Sequence, residues 1–159
     1  MNVVSNPLIN ITLQGRHDTY PKRRGMTRVP ELMDAGVKVA FGHDCVMDPW
    51  YSLGSADMLE VASMGLHVAQ LTGVEQMKSC FRAVTEIPAA ILGLEGYGLE
   101  KGCNADLVIL QAVDPVEALR LKANRLFVIR RGIIISSSAP VEAELNLQGR
   151  PKTQNYLFQ

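Results

Sequence analysis

The sequence predicts an α/β architecture for residues 1 to about 97, followed by a small all-β part from residue 98 onward. The first observation is an apolar run ending at Phe41, which follows a helix-like stripe and Gly36. Helix, glycine and strand in this order are half of a βαβ unit, which implies a parallel sheet. The second observation is a change of character after Gly96, where helical stripes give way to strand-like runs. The 159 residues are 47% hydrophobic, enough material for a core.

The first elements are short. Val3–Ser5 and Leu8–Ile11 are β-like runs on either side of an Asn-Pro pair, which predicts a strand that leaves into a loop. Thr27 is placed to cap a short helix that ends at Gly36. The apolar run Val37–Phe41 then predicts a buried strand.

Three helices in succession are predicted next. A broad apolar face from Ser55 to Thr72 predicts the first, and the run Thr72-Gly73-Val74-Glu75 predicts a capping box that opens the second. The third, Ala89–Leu92, is expected to end near Gly93.

The remaining predicted elements are mostly strands. Ala105–Leu110 reads as a strand, and Val113–Lys122 as a short helix or turn. Leu126–Ile129 and Ile133–Ile135 flank a glycine-containing turn, which is typical of a hairpin. The alternation in Val141–Leu147 predicts a half-buried strand, and the tail beyond it has little pattern.

Composition narrows the class of partner. Lys and Arg number 16 and Asp and Glu number 16, so the net charge of zero argues against nucleic acid or an anionic membrane as a partner. The three cysteines form no CxxC pair, which suits a reducing cytoplasm. No signal peptide is expected at the start, and no apolar run approaches the ~20 residues of a membrane helix.

The candidate site is the stretch from Phe41 to Gly54. Asp44 follows the end of a predicted parallel strand, where the active sites of α/β proteins lie. A carboxylate there can ligate a divalent ion and accept a proton from water. Asp48 precedes a proline and is more typical of a turn than of a ligand. Trp50 could stack on a flat ligand, or serve as packing.

Other polar residues receive structural interpretations. His67 lies between apolar residues of a predicted helix and is expected to pack in the core, whereas His17 is expected at the surface. Cys45 directly follows Asp44 and must lie near any site there. We do not expect it to be a nucleophile, because no histidine partner stands at a recognisable spacing.

Five runs of the sequence form a recognisable set: Val4-Ser5-Asn6-Pro7-Leu8-Ile9-Asn10, Leu13-Gln14-Gly15-Arg16, Pro21-Lys22-Arg23-Arg24-Gly25, Phe41-Gly42-His43-Asp44 and Asp48-Pro49-Trp50-Tyr51. Together these runs resemble the bacterial cytosine deaminases, in the amidohydrolase superfamily. The runs Gly98-Leu99-Glu100-Lys101-Gly102 and Ala105-Asp106-Leu107-Val108-Ile109-Leu110 resemble the superfamily's hinge into its C-terminal β-sandwich.

The resemblance implies a metal-dependent deaminase. The family fold is a distorted (β/α)8 barrel joined to a β-sandwich, with one Fe or Zn ion held by a His-x-His pair, a further histidine and an aspartate that ends the eighth strand. Asp44 matches that aspartate, which is both metal ligand and proton acceptor. Trp50 matches an aromatic residue near the pyrimidine. Cys45 stands where the family often has a second acid facing substrate, so cytosine, isocytosine, creatinine-like rings and other cyclic amidines remain open as the nitrogen heterocycle.

The resemblance also implies an incomplete enzyme. No His-x-His pair occurs in the sequence, and a full barrel needs at least ~200 residues. We therefore expect residues 1–97 to be the C-terminal part of the barrel, with its last strands and helices, and residues 98–159 to be a portion of the sandwich. A chain with Asp44 alone should not retain the metal. The alternative is a non-catalytic module for partner binding or oligomerisation.

An incomplete barrel also predicts that this chain associates with another chain. A barrel cut between strands leaves an unpaired edge at Val3–Ile11 and strips apolar cover from the helix around Met58–Ala69. We therefore expect a homo-oligomer, or the pairing of this chain with a missing N-terminal portion.

Overall fold

The computed structural model describes residues 1–150, which form six helices and five strands. In chain order these are β1 Asn2–Ser5, α1 Pro7–Leu13, α2 Val29–Asp34, β2 Lys38–Phe41, α3 Met58–Val68, α4 Val74–Arg82, α5 Glu86–Leu92, β3 Leu107–Leu110, α6 Pro115–Leu121, β4 Arg125–Arg130 and β5 Ile133–Ser137.

Strands β1 and β2 pair in parallel, as the helix–glycine–strand pattern predicted. Ser5 is in register with Phe41 at their carboxyl ends, and the amide of Gly42 donates to the carbonyl of Ser5 across 2.9 Å. The chain between the strands carries α1 and α2, so this is a βαβ arrangement. The pairing brings the first residues after each strand, Asn6 and Gly42, side by side.

The predicted β-like run Leu8–Ile11 is wrong, because these residues lie in helix α1. Its β-branched side chains favour a strand locally, but Pro7 occupies the start of the helix, where its fixed φ fits and no N–H is needed. Leu8 and Ile9 are buried on one side of the helix, and α1 packs against α3. Tertiary burial therefore overrides the local preference.

Several predicted helix starts are displaced. Thr27 caps nothing, because α2 begins at Val29 with Arg28 at the N-cap. Helix α3 begins at Met58 rather than Ser55, since Ala56 has a φ of +58° that no α-helix continues. The cap of α4 falls one residue later than predicted, where the Gly73 amide donates to the side chain of Gln76 over 2.9 Å.

Helix α5 is longer than predicted, running from Glu86 rather than Ala89. Pro88 lies in its first turn, where a missing N–H costs nothing. The helix ends as expected at Gly93, whose φ of +64° is the left-handed conformation that terminates helices.

Helix α3 is at the centre of the core. The ring of Phe41 packs against Gly65, and a Cβ built at that glycine would lie 2.5 Å from the ring carbon Cε2. A residue without a side chain is therefore required for this close approach. The buried core residues are Leu8, Ile9, Val29, Val39, Phe41, Tyr51, Leu59, Val61, Ala62, Leu66, Leu71, Cys80, Ala83 and Leu119. The expectation that α3 lacks apolar cover is wrong, because α1, α4, α6 and β2 surround it.

The second sheet is antiparallel, in the order β3-β4-β5. The predicted hairpin between β4 and β5 is confirmed, with Arg131 and Gly132 both at positive φ in the turn. Helix α6, where a helix or turn was predicted, is capped by the Asp114 carboxylate, which accepts from the amide of Glu117 over 2.9 Å. It packs against α3 and α4, with Leu119 only 2% exposed.

The predicted strand Val141–Leu147 is wrong. These residues are exposed except for Leu145, and only Glu144 makes an isolated strand-like bridge. The Gln111 side chain takes the place of a neighbouring strand: its amide donates to the carbonyl of Val141 over 2.8 Å, and its carbonyl accepts from the amide of Val141 over 3.0 Å. Gln111 thus pairs with the backbone of Val141 alone, and no continuous strand ladder forms over residues 141–147.

The α/β fold class is confirmed, and residues 1–150 contain one parallel strand pair and no closed barrel. That these strands belong to a (β/α)8 barrel stays a prediction. The β-sandwich stays a prediction, and its last residues, 151–159, lie outside the described part of the chain. Within that described part, no helix is both long and apolar enough to cross a membrane.

Candidate active site

The loop that leaves β2 carries the predicted acid, Asp44, at the carboxyl end of the parallel pair. Asp44 has a φ of +65°, a left-handed conformation that few residues other than glycine, asparagine and aspartate adopt. Its side chain is exposed, and one oxygen, Oδ2, accepts a hydrogen bond from Nδ2 of Asn6 over 3.2 Å. The backbone therefore presents a carboxylate to solvent at the edge where the sequence predicted chemistry.

His43, which directly precedes Asp44, is buried beneath this loop. Its Nδ1 lies 2.9 Å from the carbonyl oxygen of Cys45, and because a carbonyl only accepts, Nδ1 carries the proton. Its Nε2 is buried without a partner within residues 1–150. His43 therefore fixes the backbone directly after Asp44. Its position two residues after buried Phe41 is the strand-period signal that could have predicted the burial.

Gly54 and Tyr51 pack against the imidazole ring of His43. A Cβ built at Gly54 would lie 2.4 Å from Cε1 of His43, and Gly54 has a φ of +90°. The ring of Tyr51 meets the imidazole edge-on at a centroid distance of 6.3 Å. The loop is therefore folded back over the histidine.

The interpretation of Asp48 as a turn residue is confirmed. Its Oδ1 accepts from the backbone amides of Trp50 and Tyr51, each over 2.9 Å. These bonds hold the pKa of Asp48 below its usual value, with the Tyr51 amide as the first cause. Trp50 is 71% exposed, so it does not pack in the core and is open to contact a ligand. A role in binding substrate stays a prediction for Trp50.

Cys45 is a neutral thiol in this setting. A hydrogen bond to Asp48, partial burial and the charges of Asp48 and Asp44 raise its pKa to about 11. Its Sγ lies 3.7 Å from Oδ1 of Asp44. Because the thiolate is the nucleophilic form, these two carboxylates disfavour a nucleophilic role for Cys45.

The two remaining histidines do not contribute to this site. His17 is exposed, as predicted. The prediction that His67 packs in the core is wrong: it is exposed on α3, with Nδ1 2.6 Å from the carbonyl oxygen of Ser63. Gly65 and Leu66 are buried on the core side of α3, and position 67 lies one step further around the helix, where it reaches solvent.

Asp44 is suited to be one ligand of a metal centre. An exposed carboxylate with one oxygen held and the other outward suits a divalent ion. Among residues 1–150, however, no three His, Cys, Asp or Glu side chains come together in a group able to hold an ion. Asp44 thus provides at most one of the three protein ligands typical of catalytic zinc.

The fold and the site together define the class of protein: an α/β protein with its candidate catalytic acid at the carboxyl ends of parallel strands. The Amidohydrolase family profile matches residues 1–142. The chain belongs to the amidohydrolase family.

Individual relatives are deaminases and amidohydrolases by name. A pterin deaminase from Rhizobium rhizogenes is 34% identical over 148 residues, 92% of this chain and 33% of the relative. An N-isopropylammelide isopropyl amidohydrolase from a Pseudomonas species is 33% identical over 67% of this chain and 27% of the relative. The crystal structure of 5-methylcytosine deaminase from Klebsiella pneumoniae, liganded with 5-fluorocytosine, matches with a TM-score of 0.83 and 42% identity over 87% of this chain and 34% of that one.

The chain spans about a third of the length of these relatives. This partial coverage agrees with the expected resemblance to the C-terminal portion of a bacterial cytosine deaminase.

Proposed function

We propose that the natural polypeptide carrying these residues deaminates cytosine or a related cyclic amidine. Water adds at the amine-bearing ring carbon, the C–N bond breaks, ammonia leaves and a ring carbonyl remains. The observation that supports this most directly is Asp44, held at the carboxyl end of β2 by Asn6, in a chain 42% identical to a 5-methylcytosine deaminase.

Asp44 is placed to act as a metal ligand and as the acceptor of a proton from water. Its Oδ2 accepts from Asn6, which leaves Oδ1 with only the distant thiol of Cys45 at 3.7 Å. That oxygen is available to ligate an ion and to take the proton of the attacking water, which it would pass toward the departing ammonia. A bound Fe²⁺ or Zn²⁺ would supply the Lewis acidity that makes water nucleophilic near neutral pH. The other metal ligands would lie outside the described residues.

Cys45 bears on the choice of ring. An aspartate at this position would be charged, whereas this thiol is neutral at physiological pH. A small, polarisable group beside the ring tolerates an apolar substituent better than a carboxylate does, because no charge is desolvated. We therefore infer that the site accepts a ring with an apolar substituent, such as 5-methylcytosine. Trp50 would stack on its face.

A pterin is the second candidate. The pterin deaminase relative matches 92% of this chain, more than the 5-methylcytosine deaminase does. A pterin contains a 2-amino-4-oxo pyrimidine, the isocytosine pattern that the sequence interpretation left open. Both candidates are cyclic amidines that would release ammonia by the same chemistry.

The domain organisation, the oligomeric state and the cellular location of the protein are also proposals. Residues 1–97 would belong to a (β/α)8 barrel and residues 98–159 to a β-sandwich, completed by the rest of the polypeptide or by another copy in a homo-oligomer. The three free cysteines suit a cytoplasmic enzyme, and the zero net charge suits a small-molecule substrate rather than nucleic acid.

Ammonia release by the full-length natural polypeptide, supplied with Fe²⁺ or Zn²⁺, tests the proposal on cytosine, 5-methylcytosine, isocytosine and pterin. We expect turnover of at least one ring, lost in Asp44→Asn and retained in the matched variant Asp48→Asn. Absence of turnover on all four rings would reject the proposed reaction. Activity that survives in Asp44→Asn but not in Asp48→Asn would reject the assignment of the acid.

A further inference from the structure

Asn6 occupies a helix N-cap position but does not cap the helix. Asparagine is favoured at N-caps because its side-chain oxygen accepts from the first backbone amides. In α1 no such bond is present, and the carboxamide extends instead to Asp44, 38 positions away in sequence. The side chain is diverted from a local structural role to a contact with the candidate acid.

The backbone around Asn6 makes room for this contact. The register of β1 with β2 sets Asn6 beside Gly42, and a Cβ built at Gly42 would lie 2.5 Å from Oδ1 of Asn6. Any other residue at position 42 would therefore displace the carboxamide. Two residues later the left-handed conformation of Asp44 brings its carboxylate within 3.2 Å of the Asn6 amide nitrogen.

The direction of the hydrogen bond follows from chemistry. An ionised carboxylate only accepts, so the amide nitrogen of Asn6 must face Asp44. The bond occupies Oδ2 and restricts rotation of the carboxylate about its own axis. Oδ1 is then the oxygen left to face a ligand.

We propose that Asn6 is a positioning residue that orients the Asp44 carboxylate for metal ligation and proton transfer. This inference rests on the function proposed above and adds a residue from β1 to a site otherwise formed by the loop after β2. Partners of ligating carboxylates typically contribute ~10–100-fold to metal affinity or activity. We expect an effect of that size from Asn6.

The decisive variant is Asn6→Ala, which removes the donor without placing a second carboxylate beside Asp44. Asn10→Ala is the matched control: it makes the same substitution in the neighbouring turn, and Asn10 makes no side-chain hydrogen bond within residues 1–150. A purely structural role for Asn6 predicts that the two variants behave alike.

The contact itself is measured in the 159-residue chain by NMR of the side-chain amide of Asn6. Asp44→Gly, which keeps the left-handed backbone and removes the acceptor, should shift the Asn6 amide signals and leave those of Asn10 in place. If the Asn6 signals stay unchanged in Asp44→Gly, no such contact exists and the proposal is overturned.

The functional consequence is measured in the full-length natural polypeptide by competing its Zn²⁺ with a chelator and, separately, by ammonia release. We expect Asn6→Ala to weaken Zn²⁺ binding by about 10–100-fold and Asn10→Ala to leave it within about twofold. A wild-type protein that binds Zn²⁺ and turns over substrate, with both variants alike, would overturn the role of Asn6 alone. A wild-type protein without ammonia release would instead overturn the proposed function, on which this role rests.

Discussion

Asp57 has two separate contacts, and substitutions can remove them one at a time. Its carboxylate caps α3 by accepting from the amide of Leu59 over 2.7 Å. It also pairs with both terminal nitrogens of Arg125 in β4, at 2.7 Å for Nη1 and closer for Nη2. Asp57→Asn keeps a good cap and loses the charge, Arg125→Ala loses the pair and keeps the cap, and Asp57→Ala loses both.

The expected magnitudes differ enough to separate the two contributions. An N-cap replaced by alanine costs about 1 kcal/mol. Exposed ion pairs contribute about 0–1 kcal/mol, but this one is bidentate and its side chains are only 35% and 26% exposed. We therefore expect about 1–2 kcal/mol from Asp57→Asn or Arg125→Ala, and about 2–3 kcal/mol from Asp57→Ala.

Urea unfolding followed by circular dichroism measures these losses, with the double variant Asp57→Asn/Arg125→Ala closing the cycle. The double variant should cost little more than either single one. Equal losses for Asp57→Asn and Asp57→Ala would refute the capping contribution. Strict additivity of the two single variants would refute the pair.

The same pair predicts a pH dependence. The Arg125 guanidinium holds the pKa of Asp57 below its usual value of about 3.9. A depressed pKa in the folded state gives stabilisation that is present above the unfolded pKa and is lost as pH falls through the folded one. Arg125→Ala should therefore reduce the loss of stability on acidification below about pH 4.

Two further predictions concern the core and the loop. Gly65→Ala should lower the unfolding free energy by about 1 kcal/mol, because overpacking against Phe41 costs about 1–3 kcal/mol and the gain in helix propensity returns about 1 kcal/mol. In a Phe41→Leu background the same substitution should be neutral or stabilising, and an equal loss there would contradict the clash. Cys45 should be alkylated slowly at pH 8 because its pKa is about 11, and Asp48→Asn should speed the reaction. Peptide mapping after iodoacetamide treatment measures the rate of alkylation, and an unchanged rate in Asp48→Asn would count against Asp48 as the cause.

The elements predicted correctly depend on signals within a few residues. Gly132 marks the hairpin turn, Gly93 ends α5, and Asp114 before a proline starts α6. Each acts through its own backbone conformation or its own hydrogen bond. Such elements can be predicted from the sequence because nothing distant has to be known.

The wrong predictions concern elements whose conformation depends on residues distant in the sequence. Leu8–Ile11 looks like a strand until α3 provides a surface on which one side of a helix can be buried. Gln111 replaces a strand neighbour for Val141, which no alternation in the sequence could indicate. At the site, the sequence predicted Asp44, but the contact with Asn6 depends on the parallel register of two strands.

The left-handed backbone of Asp44 limits how this position can vary genetically. The products of single-base changes in an aspartate codon include asparagine and glycine, which accept that conformation readily, and valine, whose branched side chain disfavours it. A valine allele would therefore disturb the loop as well as remove the carboxylate, and its phenotype would not isolate the chemistry. An asparagine allele keeps both the backbone preference and the size of the side chain, so its effect reports on the carboxylate itself.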